Sequence, residues 1–149
     1  MPMTHADDLR AWAKGPYATE AATEMLLRSF GGRFAEPGNP WVHVSESPEG
    51  SHQVRAWIDF AALPEETGPL SGGERRFLMV AASLAEDVPV VLGDVVPGLD
   101  RANLELLLAA IAHAGGSHQH SGMTFDENGT PRSFTHLTTL YPWPQAATA

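Results

Sequence analysis

The chain contains no cysteine, which excludes disulfides, thiolate metal sites and a cysteine nucleophile. Basic residues are also scarce: 9 lysines and arginines stand against 18 acidic residues, a net charge of −9. Lys14 is the only lysine. A chain of that sign repels a phosphate backbone, which argues against nucleic-acid binding. No apolar run approaches the roughly 18 residues of a membrane span. The first residues, Met1-Pro2-Met3-Thr4-His5-Ala6-Asp7-Asp8, lack the basic and apolar regions of a secretion signal. A cytoplasmic protein with no membrane segment is the expectation. Three catalytic signatures are missing as well: the phosphate loop GxxxxGK[ST], the nucleophile elbow G-x-S-x-G and the zinc helix His-Glu-x-x-His. These absences assign no catalytic residue and no cofactor, and they weigh against an enzyme.

What is present fits one domain over residues 1–149, long enough to bury a core, with 43% hydrophobic and 18% charged residues. The Ala, Gly and Arg usage suits a GC-rich bacterial genome. Two helices open the chain. Thr4 caps the first, with Asp7 three residues on as a variant of the capping box, and Gly15-Pro16 stops it. The second runs from Tyr17 towards Phe30, with Ala18, Ala22, Met25 and Leu26 as its apolar stripe and Glu24 and Arg28 as an i,i+4 pair. A hairpin follows, with strands at 41–44 and 54–60 around a Pro- and Gly-bearing turn at 46–52. Two more helices come next. Ser71 and Glu74 box the start of one, and Asp100 caps the other, whose stripe reads Leu104, Leu107, Leu108 and Ile111. The last two strands, about 118–125 and 133–141, flank Asn128-Gly129, a favoured hairpin turn. The fold class is therefore α+β, with the two hairpins expected to join in one antiparallel sheet and residues 143–149 expected to fray.

One segment carries a family resemblance. Leu70-Ser71-Gly72-Gly73-Glu74 opens a helix, Val90-Val91-Leu92-Gly93-Asp94 follows as a short apolar run, and Gly98-Leu99-Asp100 comes after it. Residues 70–100 resemble the signature, Walker B and D-loop segment of ABC-type ATPases. The resemblance implies that Ser71, Gly72 and Gly73 touch the nucleotide of a partner subunit and that Asp94 stands as the metal-side carboxylate. The backbone N–H groups of a glycine-rich helix start suit an anion. Val95 occupies the position of the family's catalytic glutamate, so the segment implies contact without hydrolysis.

Seven histidines are the other chemical feature. His118 and His120 share one strand face at i,i+2, and His136 lies on the partner strand, a His-only set suited to Zn²⁺, Cu²⁺ or Ni²⁺. Register decides whether it forms. A two-residue Asn128-Gly129 turn sets residue 121 opposite 136 and separates the set; a loop changed by one residue sets 120 opposite 136 and closes it. Trp41, Trp57 and Trp143 are read as exposed interface anchors. The preferred function is a non-catalytic interaction or accessory domain, binding a protein partner or a second copy of itself. The alternatives are a nucleotide-linked partner of an ABC-type ATPase and a His-rich metal binder.

Overall fold

A computed structural model describes residues 3–46 and 54–145 of the chain. The molecule is a small α+β fold. Helix α1 (His5–Ala13) begins at the Thr4 cap, where the Thr4 hydroxyl accepts from the Asp7 N–H and the Asp7 carboxylate accepts from the Thr4 N–H. It ends before Gly15, whose φ of +130° few other residues adopt. Helix α2 (Tyr17–Arg28) is the centre of the fold and packs against α1, α4 (Gly72–Ala85) and α6 (Arg101–Ala114). It ends in three successive left-handed residues, Phe30, Gly31 and Gly32. A left-handed phenylalanine is strained by about 1–3 kcal/mol. Its ring is held edge-on to both Phe34 and Phe77, at 5.3 Å and 5.7 Å between centroids.

The first hairpin pairs β1 (Val42–Val44) with β2 (Ala56–Ile58) and sends Val42, Ala56 and Ile58 into the core. Its expected turn, 46–52, lies outside the described residues except for Glu46. The helical turn α3 (Leu63–Glu66) leads to α4, which starts at the expected capping box: the Ser71 hydroxyl accepts from the Glu74 N–H and the Glu74 carboxylate from the Ser71 N–H. Phe77, Leu78, Val80, Ala81 and Ala82 are buried on its inner face. The run Val90–Leu92 is no strand. It enters the single turn α5 (Leu92–Val95), bracketed by Pro89 and Pro97, and among the described residues no strand pairs with its backbone.

Helix α6 is rotated from the expected stripe, of which Leu107 is buried. Asn103, Leu106, Leu107, Ala109 and Ala110 are buried, whereas Leu108 and Ile111 stand about half exposed, at 43% and 49%. The helix is apolar nearly all round, so periodicity alone does not fix its rotation. Alanines at 109 and 110 are buried along with Ala21 and Ala22 of α2, and these small side chains let the two helices approach closely. The helix closes at left-handed Gly116, whose missing Cβ leaves room for the Tyr17 ring at 3.3 Å.

The second hairpin, β3 (Ser121–Phe125) with β4 (Pro131–His136), does not join the first. Among the described residues the molecule has two separate two-stranded sheets instead of one. The reason is visible in the burial: β2 lies on α1, Val42 of β1 and Ala56 and Ile58 of β2 are in the core, and every residue of β4 is exposed. Among the described residues, no helix is long and apolar enough to cross a membrane.

Candidate functional site

The signature-like helix start forms as a capped helix end. Ser71 and Gly72 are exposed, and Glu74, besides closing the cap, forms an ion pair with Arg33. A Cβ on Gly73 would meet nothing within 4 Å, so packing gives no reason for glycine there. Asp94 is exposed in α5 and not at the end of a strand. Ser71 thus starts a capped helix, and no strand precedes Asp94 among the described residues.

The histidines are separated by a β-bulge. The turn closes with the Asp126 N–H on the Thr130 carbonyl at 2.9 Å and the Gly129 N–H on the Asp126 carbonyl at 3.0 Å, and it pairs Phe125 with Pro131. Continued unchanged, that register would set His120 opposite His136. Arg132 intervenes as an extra residue on β4 and moves the pairing back, so Thr124 faces Ser133 and Ser121 faces His136. His118 leaves the hairpin altogether. It lies in a 3-10 turn, residues 117–119, and stacks on His113 at 4.2 Å between centroids. His118, His120 and His136 thus do not converge. Among the described residues, no three His, Cys, Asp or Glu side chains are grouped to hold a metal.

The tryptophans are also less available than expected. Trp41 is 2% exposed, and its Nε1–H donates to the Phe34 carbonyl at 2.7 Å. It is a core residue, because the polar handle that would favour a wet site finds a partner inside. Trp57 is half-buried and stacks on His43, its cross-strand neighbour, at 5.3 Å. Trp143 belongs to a packed segment and not to a loose end. It lies against the core under the Arg28 guanidinium, 5.1 Å from the ring, and Arg28 donates to the Pro144 carbonyl at 3.3 Å. Residues 146–149 of the expected tail lie outside the described residues.

Two surfaces remain. The first is the outer face of the second hairpin, where Met123, Phe125 and Phe134 share one side with Ser121 and His136. Phe134 is 74% exposed and Phe125 58%. The second is a cleft of about 410 Å³ lined by residues of α1, α2 and α6 and by Trp143. Charge within it is ordered. The Glu24 carboxylate accepts from Arg10 Nε at 2.7 Å and from Arg28 Nε at 2.8 Å. Burial raises the Glu24 pKa, but the two arginines outweigh it and hold the carboxyl below its usual range. Glu20 behaves alike: burial pushes it up, and the Gly15 N–H at 2.9 Å with the His113 ring at 2.7 Å pulls it down further. As Glu20 is then a carboxylate, His113 Nε2 carries the proton it donates. Behind it, burial and the neighbouring His113 lower the His118 pKa against the opposing pull of Glu20. Sequence reading missed this cleft. Glu20 and His113 are 93 residues apart and Arg10 and Glu24 14 apart, separations that no local pattern links.

No protein-family model, no curated protein and no solved structure matches this chain.

Proposed function

We propose that this chain is a non-catalytic interaction domain of the bacterial cytoplasm that presents its second hairpin to a partner protein. One observation carries this reading. The hairpin projects Met123, Phe125 and Phe134 into solvent while, among the described residues, its strands pair only with each other. An isolated two-stranded hairpin is marginal in water, and contiguous exposed apolar side chains mark interaction sites. A partner offering an apolar surface, or an edge strand to lengthen the sheet, fits that face. The partner is another protein or a second copy of the chain. The experiment is affinity capture from the source cell with the wild-type chain and with a Phe125→Ser/Phe134→Ser variant, each also run by size-exclusion chromatography. A protein, or a dimer, present with the wild type and lost with the variant supports the reading. Capture that ignores the substitutions contradicts it.

A second reading keeps the start of α4 as a contact for nucleotide bound to an ABC-type ATPase. What favours it is Gly73, which the packing does not require and which costs up to about 1 kcal/mol against alanine within a helix. On this reading Gly72→Arg abolishes an ATP-dependent complex and leaves the fold intact. Association that is indifferent to ATP removes it.

A further inference from the structure

The cleft beside Trp143 goes beyond the hairpin reading, and we infer that it is a binding site for a small monocarboxylic acid with a planar apolar body. Its size comes first: about 410 Å³ lies within the range of roughly 300–1,000 Å³ usual for small-molecule sites. Its charge comes second. The chain carries −9 overall, yet three of its nine basic residues, Arg10, Lys14 and Arg28, line this one cleft. Two of them are already used, because Arg10 and Arg28 share Glu24. Glu20 is occupied by the Gly15 N–H and by His113. Lys14 alone among the cleft's charged groups has no partner among the described residues. It is exposed, so its ammonium is free to meet a ligand at the cleft wall.

This accounting selects a monoanion. One uncommitted cation matches one negative charge. A second charge on the ligand would face the Glu20 and Glu24 carboxylates without a cation of its own. A carboxylate also gains a charge-assisted hydrogen bond from the Lys14 ammonium. The rest of the lining selects the body of the ligand. Trp143 supplies an aromatic wall, with the Arg28 guanidinium 5.1 Å from its ring, and Ala13 and Thr23 complete the lining.

The test uses naphthoate and its neutral counterpart naphthamide, which have the same shape, in titration calorimetry and thermal melting of the full chain. Naphthoate is expected to bind with one site per chain and to raise the melting temperature. Naphthamide is expected to bind roughly tenfold more weakly, the effect of losing one charge-assisted hydrogen bond. Lys14→Gln should bring naphthoate down to the naphthamide level, and Lys14→Arg should restore the preference for the acid. Because Lys14 is exposed and unpaired, both variants should melt like the wild type without ligand. Three results would overturn the assignment: no binding of naphthoate at millimolar concentration, equal binding of acid and amide, or a preference for the acid that survives Lys14→Gln. Failure of the hairpin reading leaves all of these outcomes unchanged, since Phe125 and Phe134 line no part of the cleft.

Discussion

Single side chains decide how the apolar and polar groups of this molecule are divided. Trp41 is the clearest case. Its ring fills the core and its Nε1–H satisfies the Phe34 carbonyl, so Trp41→Phe strands that carbonyl in the interior. The expected loss is about 1–3 kcal/mol of unfolding free energy, read by urea denaturation. At the start of α4 two substitutions should move stability in opposite directions. Ser71→Ala removes the hydroxyl that accepts from the Glu74 N–H and should cost about 1 kcal/mol. Gly73→Ala places a methyl where nothing lies within 4 Å and should stabilise by up to about 1 kcal/mol. Equal melting temperatures for these two variants would show that the helix start is not held by its cap.

At the scale of elements, the helix ends and the inner faces of α2 and α4 were legible in the sequence, and the face of α6 was not. Thr4 with Asp7 and Ser71 with Glu74 are local devices, and each forms as its spacing dictates. The second hairpin admits two registers on sequence grounds, and the structure selects Ser121 opposite His136, reached by a wider turn than the two-residue one and by the Arg132 bulge. What local pattern does not carry is depth. Trp41 is buried because Phe34 and its carbonyl happen to lie beside it. Helix α6 is apolar nearly all round, and its packing on α2 chooses Ala109 and Ala110 over Leu108 and Ile111. The cleft is made wholly of such distant pairings. The second hairpin gives the converse prediction. Phe134 is so exposed that Phe134→Ser should change the stability of the isolated chain by no more than about 0.5 kcal/mol by denaturant unfolding. A loss of several kcal/mol would mean that the hairpin face is already covered within the molecule.

For the whole molecule, acid should act in two stages. His118 is held below its ordinary value of about 6.5, so the fold prefers the neutral ring; stability is full above that value and falls as the pH drops through it. Glu20 and Glu24 are held below theirs, so their contribution is present above about pH 4.3 and is lost as the pH falls through the lowered values. Melting temperature followed from pH 8 to 3 should therefore decline first around pH 6 and again, more steeply, below about pH 4.5. His118→Gln should flatten the first stage alone.

The central claim is that the second hairpin is the surface this protein offers to a partner. Backbone amide exchange of the chain, free and bound to the partner captured with it, tests that claim most directly. The account predicts that residues 121–136 exchange rapidly in the free chain and gain protection in the complex, while the start of α4 does not change. Protection gained at residues 71–74 with the hairpin unaltered would contradict it.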